Sequence, residues 1–378
     1  MTTTVIAADP APTVGILGGG FMARVHTAAA RAAGGSVVGV ATSSPESSVR
    51  AARTLGIPLA FESAIDLIES DEIDTVHICT PNVTHEAFAS RAIELGKNVI
   101  CEKPLATSVA AARELMEHAG ASAAASAVPF VYRYHPMVRE ARARMRRGEL
   151  GRLFTVRGEY LQDWLWSDDD DDWRVDADRG GPSRAFADIG SHLCDLIEFV
   201  TDDRISRVSA TASTVHPRRG TAQVRTEDAV AVAFETEGGA IGTLLVSQVS
   251  AGRKNHLTFE ISGQHESLVF DQEQPELLWV GRVGGFTAVP RVEQLMDASA
   301  AGYSIVPAGH PMGYQDAFNA FVRDVYRSAA GAAVDGIPSF ADGYRAAVLT
   351  EAVLDSSRRG SWVDTPHLDL SEQQGARR

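Results

Sequence analysis

Two side chains near the middle of the sequence have the types and spacing needed to move a proton. Asp188 and His192 are four residues apart, so in a helix they would share one face and one turn. The ordinary pKa of an imidazole lies near physiological pH, so His192 can accept a hydroxyl proton while a hydride leaves the adjacent carbon. A lone histidine is more often structural, but the nearby carboxylate favours an acid–base role.

A lysine that could assist such a reaction lies 85 residues before Asp188. The triplet Glu102-Lys103-Pro104 follows the apolar stretch Asn98–Cys101, which is typical of a buried strand. Partial burial or a neighbouring positive charge would lower the pKa of Lys103 and suit it for proton transfer or hydrogen bonding. Taken alone, the triplet would be better explained as a surface turn.

A third group of polar residues follows the apolar strand predicted at Thr75–Cys79. Thr80, Pro81 and Asn82 come directly after it, and His85 lies three residues further on. Ligands of open α/β sheets bind beyond the carboxyl ends of the strands, so we expect these residues to contact a cofactor. The alternative is a simple helix cap made by Thr84.

The segment Val14–His26 indicates what that cofactor is. Gly18, Gly20 and Ala23 follow a short apolar run in the spacing G-x-G-x-x-A and open a predicted helix. In this motif the first glycine allows a tight turn and the second lets a pyrophosphate approach the free N–H groups of the helix. We therefore predict an NAD or NADP site that includes Phe21 and Met22, although a glycine turn can also be purely structural.

The end of the second predicted strand leaves the choice of dinucleotide open. An acidic residue there would bind the ribose 2′-hydroxyl of NAD, but Val40–Ser44 contains none. Thr42 and Ser43 could hydrogen-bond either form of the ribose. No arginine follows immediately to hold a 2′-phosphate, although Arg24 could reach it.

The substrate site should lie on the side of Lys103, Asp188 and His192 that is opposite to the cofactor. The end of a predicted strand carries Tyr160, Gln162, Trp164 and Trp166 at every second position, so their side chains would share a face. The aromatic rings suit the apolar faces of a sugar, and the amide suits its hydroxyls. Core packing is the alternative for two of them. Positive or polar groups expected nearby, which leave room for an acidic sugar, are Arg133, Arg174 and His310.

The elements that position these residues form two domains. Strands and helices alternate from residue 13 to about 130, which predicts a doubly wound parallel sheet of the Rossmann type over 12–131. Longer alternating strands over 132–366 predict an α/β domain with a large, open and mainly antiparallel sheet. These strands are expected at Leu153–Leu161, Ile205–Val215, Ala229–Phe234, Ala240–Val249, Leu257–Ser262 and Ser267–Asp271. Residues 1–11 and 367–378 are expected to be flexible tails.

Composition narrows the class of protein further. The chain has 378 residues, 44% of them hydrophobic, and a formal charge of -14, which argues against nucleic acid and anionic membranes as partners. Its three cysteines are far apart and without metal-ligand spacing, so we expect no metal and a reducing cytoplasm. The acidic run Asp168–Asp172 is expected to be a solvated loop.

Taken in order, these motifs resemble the Gfo/Idh/MocA family of oxidoreductases. The resemblance covers nearly the whole chain and implies that Lys103, Asp188 and His192 are the catalytic residues. His192 would accept the proton, Lys103 would polarise the reacting oxygen, and Asp188 would hydrogen-bond the sugar. Within the family the chain is most similar to pyranoside dehydrogenases, as indicated by Tyr160–Trp164, Gly252–Asn255 and Pro338–Tyr344.

The resemblance implies NAD(P)-dependent oxidation of a ring hydroxyl, often at C3, of a pyranose, glycoside or polyol. One alternative is an oxidoreductive glycosidase that cleaves a sugar glycoside, acidic or sulfonated substrates included, through a transient 3-keto intermediate with NAD recycled. Another is a catalytically silent nucleotide sensor. The free face of the second sheet predicts a homo-oligomer, a dimer or tetramer.

Overall fold

The computed structural model describes residues 11–170 and 172–366. Its first half contains a six-stranded parallel sheet in the order β3-β2-β1-β4-β5-β6. These strands are β1 (Thr13–Leu17), β2 (Ser36–Ala41), β3 (Leu59–Ala60), β4 (Thr75–Ile78), β5 (Asn98–Cys101) and β6 (Ser126–Ala127). The doubly wound parallel sheet predicted from the sequence is confirmed.

Helices connect the strands of this sheet, and serine side chains define where three of them begin. Ser44, Ser63 and Ser108 each accept a hydrogen bond from a backbone N–H of the first helical turn. Thr84 does not cap its helix in this way, because its hydroxyl donates to Thr80 and to the Pro81 carbonyl. The helices are α1 (Phe21–Ala32), α2 (Pro45–Leu55), α3 (Ala64–Glu69), α4 (His85–Glu94) and α5 (Val109–Ala121).

The second half is built on a nine-stranded sheet in the order β16-β15-β14-β13-β7-β12-β11-β8-β17. Neighbouring strands are antiparallel except β7 and β12, which run parallel. Its strands are β7 (Leu153–Leu161), β8 (Ile205–Ser213), β11 (Ala229–Thr236), β12 (Ile241–Ser247), β13 (His256–Gly263), β14 (Ser267–Asp271), β15 (Leu277–Arg282), β16 (Gly285–Pro290) and β17 (Val363–Asp364), while β9 (Arg218–Arg219) and β10 (Ala222–Gln223) form a separate pair. The predicted large, mainly antiparallel sheet is confirmed.

Six helices accompany this sheet. They are α6 (Pro136–Arg146), α7 (Ala177–Gly180), α8 (Ser191–Thr201), α9 (Ala298–Ala301), α10 (Tyr314–Ala329) and α11 (Phe340–Arg359). Apolar side chains of α6, α8 and α11 bury one face of the sheet. The side chains of the opposite face alternate with the buried ones and stay exposed or half-buried, as Ile241 and Leu245 of β12 do.

Several elements differ from the sequence prediction. The hairpin β15–β16 and the helix α6 were not predicted. Arg139, Glu140 and Arg142 of α6 are buried. They lie among the apolar residues Met137, Val138 and Ala141, which pack on the sheet, so charged residues obscure this short apolar stripe in the sequence. The last strand of the first sheet, β6, has only two residues, and a 3-10 turn over Val131–Tyr134 follows it.

The two halves share core residues. Phe318, Phe321 and Val325 of α10 pack with Val14 and Ile16 of β1, so a late helix completes the core of the first sheet. The predicted division into 12–131 and 132–366 stays a prediction. None of the helices in the described ranges is long and apolar enough to span a bilayer. The predicted tails lie, but for residue 11, outside the described residues.

Candidate active site

A cavity of about 1290 Å³ extends from the glycine turn of the first half to the end of β7 in the second half. That volume exceeds what a single small ligand usually requires. Predicted site residues on its surface are Gly18, Gly20, Phe21, Met22, Thr42, Ser43, Thr80, Pro81, Asn82, Glu102, Lys103, Tyr160, Gln162, Trp164, Arg174, Asp188 and His192. The fold therefore brings most of the predicted residues to one surface.

The glycine turn at one end of the cavity has the shape that the motif requires. Gly18 has a φ of 112°, and a Cβ there would lie 2.6 Å from the Cys79 carbonyl oxygen. A Cβ at Gly20 would meet nothing within 4 Å, so that glycine keeps space open. No side chain caps the start of α1, which leaves its first N–H groups available to an anion. The turn fits a dinucleotide pyrophosphate.

The end of β2 forms the next part of the wall. Thr42, Ser43 and Ser47 line it together with Arg50 of α2. Arg50 was missed by the sequence analysis, although Ser47 and Arg50 have the three-residue spacing that places side chains on one helix face. Arg24, the residue considered instead, lies over the ring of Phe21 and is not part of this surface.

Lys103 and Asp188 meet in the middle of the cavity. The Lys103 ammonium donates to the Asp188 carboxylate and, at 3.0 Å, to its backbone carbonyl. Gln248 Nε2 donates to the other carboxylate oxygen at 2.8 Å, and Arg174 Nε lies 4.0 Å from the first. Burial alone would raise the pKa of Asp188, but the charges of Lys103 and Arg174 outweigh it and lower that pKa to about 2.

His192 lies one turn beyond Asp188. The helix expected to carry both residues begins as a short π-helix, Phe186–Gly190, before α8 continues from Ser191. The rings of Phe130 and Tyr132 contact the imidazole edge-on, with centroids 5.5 and 5.1 Å away. Burial, and then the charge of Lys103, lowers the pKa of His192 to about 3.

The imidazole is therefore neutral at physiological pH and able to accept a proton. Its Nδ1 is buried and has no hydrogen-bond partner among the described residues, unlike most buried polar atoms in proteins. A ligand group in the cavity could supply that partner. Together, Lys103, Asp188 and His192 form a compact cluster of one cation, one anion and one neutral base.

A hydrogen-bonded network of polar and aromatic side chains forms the far end of the cavity. The hydroxyls of Tyr132 and Tyr160 are 2.5 Å apart, and Tyr160 donates to Asn255 Oδ1 at 2.8 Å. Gln162 Nε2 donates to the same oxygen at 2.9 Å, and Trp164 Nε1 donates to Gln162 Oε1. Tyr132 and Asn255 were not among the predicted site residues. Nothing in the local spacing distinguishes Tyr132 from a core residue, whereas Asn255 belongs to Gly252–Asn255, a segment that carries the family resemblance and could have indicated it.

Three predicted site residues lie away from the cavity surface. Arg133 is buried and forms ion pairs with Asp195 and Asp342, so its neighbour Tyr132 is the residue of this turn that faces the cavity. His310 is exposed on a loop, where its carbonyl accepts from Arg291. The structure thus corrects the substrate-binding predictions for Arg133 and His310.

The third residue, His85, is fully buried. Its ring nitrogens lie 2.8 and 2.9 Å from the carbonyl oxygens of Pro104 and Thr80, so it joins the loop after β4 to the turn after β5 and does not contact the cavity. Trp166, expected on the face of Tyr160, is exposed because β7 ends at Leu161. Of the acidic run, Asp171 lies outside the described residues.

Comparison with known proteins identifies the class to which this fold and site belong. Residues 13–128 match the profile of an oxidoreductase family with an NAD-binding Rossmann fold, and residues 138–269 match the Gfo/Idh/MocA C-terminal domain. The chain is therefore a member of the Gfo/Idh/MocA family of oxidoreductases.

Individual relatives are similar over most of their length. Levoglucosan dehydrogenase of Pseudarthrobacter phenanthrenivorans is 31% identical over 94% of this chain and 98% of its own. Inositol 2-dehydrogenase of Rubrobacter xylanophilus is 27% identical over 92% and 91%. Among solved structures, levoglucosan dehydrogenase in complex with NADH and levoglucosan has a TM-score of 0.88 and is 31% identical over 94% of this chain and 100% of that chain.

Proposed function

We propose that this protein oxidises a ring hydroxyl of a pyranose, a glycoside or a related polyol by hydride transfer to NAD(P). The observation that carries this proposal is that Lys103, Asp188 and His192 line the same cavity as the glycine turn and the aromatic network, with Lys103 and Asp188 in contact. A dinucleotide on the turn and a sugar on the network would meet at these three residues.

Each of these three residues has a separate role in the reaction. The dinucleotide, when bound, accepts the hydride from the carbon that carries the reacting hydroxyl. Lys103 donates a hydrogen bond to that hydroxyl oxygen, and neutral His192 takes its proton. Asp188 holds the Lys103 ammonium in place and hydrogen-bonds the sugar.

Oxidation at C3 is the finer part of the proposal. It is supported by the relatives, one of which is the glucose-6-phosphate 3-dehydrogenase of Bacillus subtilis, 23% identical over 89% of this chain and 94% of its own. The rings of Trp164 and Trp173 would lie against the apolar faces of the sugar, and Gln162 and Asn255 would bind its hydroxyls.

The wall at the end of β2 favours a cofactor with a 2′-phosphate, so we further propose that NADP(H) is accepted and preferred. The lining residues there supply three hydroxyls and the guanidinium of Arg50, and no carboxylate from the described chain is among them. A carboxylate would repel a phosphate, whereas a guanidinium binds one strongly. The D-xylose 1-dehydrogenase (NADP(+)) 2 of Haloferax volcanii is 33% identical over 40% of this chain.

A redox-neutral glycosidase is the second candidate, and the buried hydroxyls of Tyr132 and Tyr160 support it. After oxidation at C3, either hydroxyl could protonate a leaving group during elimination. Arg174 and Arg179 at the same surface would suit an acidic sugar in either reaction.

The deciding experiment is a screen of monosaccharides, glycosides, inositols and acidic sugars with NAD and NADP. Rising absorbance near ~340 nm with formation of a keto sugar is the expected result. Release of the aglycone without that rise would support the glycosidase instead. Binding of dinucleotide without turnover of any sugar would contradict both and favour a sensor.

We also propose a cytoplasmic homo-oligomer that pairs through the open face of the nine-stranded sheet. The free state of Cys79, Cys101 and Cys194 supports a reducing compartment. Exposed Ile241 and Leu245 on that face support pairing with a second copy of the chain.

A further inference from the structure

A chain of four buried side chains lies behind the catalytic cluster and has no part in the mechanism described so far. It starts at Tyr326 of α10, whose hydroxyl lies 2.9 Å from His77 Nε2. His77 Nδ1 lies 3.0 Å from His26 Nδ1, and His26 Nε2 lies 2.9 Å from Glu102 Oε1. Three different elements and the turn after β5 contribute these residues, and both imidazoles are completely buried.

The chain ends in the wall of the cavity. Glu102 lines the same surface as Lys103 and His192, and its Oε2 accepts a hydrogen bond from the Lys103 backbone N–H at 3.2 Å. Both of its oxygens are therefore fixed. Burial would raise the pKa of Glu102, but the contacts with His26 and the charge of Lys103 outweigh it and lower that pKa.

Hydrogen-bond chemistry restricts where the protons of this chain can be. An ionised carboxylate only accepts, so His26 Nε2 must carry a proton. Burial lowers the pKa of His77 well below its usual value, so that ring is neutral and carries one proton. If His26 is neutral as well, His77 Nδ1 donates to it and Tyr326 donates to His77 Nε2. Every donor then has one acceptor, and Glu102 is the only charge.

We propose that His26 and His77 are positioning residues that keep Glu102 ionised and fixed, so that its charge stabilises the imidazolium formed at His192 when the substrate hydroxyl loses its proton. This inference rests on the proposed function. In that step the O–H bond breaks and its proton moves to His192, while the C–H bond breaks and its hydrogen transfers with both bonding electrons to the dinucleotide, which leaves a C=O bond. A fixed negative charge nearby offsets the positive charge of the imidazolium and of Lys103.

Substitutions at Glu102 and His26 distinguish the effect of the Glu102 charge from the effect of the hydrogen bond between the two side chains. Glu102→Gln removes the charge and keeps an acceptor for His26. His26→Leu removes the donor, whereas His26→Gln keeps an N–H near the position of Nε2. We expect kcat to fall about 10- to 100-fold in Glu102→Gln and His26→Leu, as for loss of one preorganised electrostatic contact. KM should change less than about threefold, and the primary deuterium isotope effect on kcat should rise as the chemical step becomes limiting. His26→Gln should recover most of kcat.

Nitrogen-15 spectra of histidine-labelled protein test the chain without any turnover. In the native protein we expect His26 to be protonated on Nε2 and His77 on Nδ1 alone. The proposal would be overturned by an unprotonated His26 Nε2, or by a His26→Leu enzyme with native kcat and a native isotope effect. An equal loss in Glu102→Gln and His26→Gln, together with a raised KM, would reduce the chain to a structural role. If the native protein oxidises no sugar, the proposed function fails, but the spectra still decide where the protons are.

Discussion

At the scale of single residues, the site combines groups whose charges depend on one another. His192 is a neutral base because it is buried beside the Lys103 cation, and Asp188 is an anion because the same cation lies against it. The charge of Lys103 therefore lowers the pKa values of both neighbours. Replacing it should affect the chemical step far more than binding.

We expect Lys103→Met to lower kcat at least about 100-fold, because the hydrogen bond to the reacting oxygen is lost. The Kd for the dinucleotide, measured by quenching of protein fluorescence, should change less than about threefold. Lys254→Met is the matched control, since that side chain is 82% exposed and pairs with Asp163 at the surface. Substantial turnover by Lys103→Met would remove Lys103 from the mechanism.

A second residue-scale prediction concerns the choice of cofactor. Arg50→Gln should weaken NADPH binding about tenfold or more and leave the Kd for NADH nearly unchanged, because only the 2′-phosphate needs the guanidinium. Arg53→Gln, on the same helix but outside the cavity surface, serves as the control. Equal Kd values for NADPH in both variants would contradict the proposed phosphate site.

At the scale of elements, two glycines in the turn between β1 and α1 should affect different properties: Gly18 the stability of the protein and Gly20 its affinity for the dinucleotide. Gly18→Ala should destabilise the protein by about 1–3 kcal/mol, because its positive φ and the close Cys79 carbonyl leave no place for a methyl group. Gly20→Ala should fold normally, since its Cβ meets no protein atom, but should lose at least about tenfold in dinucleotide affinity. Urea unfolding and cofactor titration measure the two effects. Native affinity in Gly20→Ala would argue against a pyrophosphate at this turn.

The start of α6 makes stability depend on pH. Burial lowers the pKa of His135, the residue before this helix, from 6.5 to about 4. The unfolded chain therefore binds a proton on His135 that the folded chain does not, so its contribution to stability is complete above pH 6.5 and is lost as the pH falls to about 4. The loss approaches roughly 3 kcal/mol at the acid end of that range.

We expect His135→Gln to reduce the change in unfolding free energy between pH 7 and pH 4.5, as measured by urea unfolding at each pH. The buried His192 acts in the same direction, so part of the dependence should persist. Parallel pH curves for the native protein and the variant would show that the pKa of His135 does not change on folding.

At the scale of the whole molecule, the proposed assembly depends on the open face of the nine-stranded sheet. Ile241 and Leu245 are exposed there by 59% and 43%. We expect the native chain to be a dimer or tetramer by light scattering and Ile241→Lys to shift it toward the monomer, because burying a lysine in an apolar contact is costly. Val283→Lys, at the exposed β15–β16 turn, should leave the assembly unchanged. A native monomer would contradict the proposed pairing.

The sequence alone determined the features that depend on local spacing. The glycine turn could be predicted because the backbone conformation there permits few residue types. In β7 and β14 the buried residues, 156, 158 and 160 and then 268 and 270, fall at every second position, as in a half-buried strand. The order of the catalytic motifs indicated their chemistry in the same way.

Tertiary structure decided what depends on contacts between distant segments. It paired Lys103 with Asp188 across 85 positions, buried Arg133 in an ion pair with Asp195, and turned Tyr132 and Arg50 toward the cavity. Periodicity shows which residues share a face of one element, but the neighbour of that face is fixed only when elements pack. Charged residues such as those of α6 are the least predictable, because their burial depends on partners elsewhere in the chain.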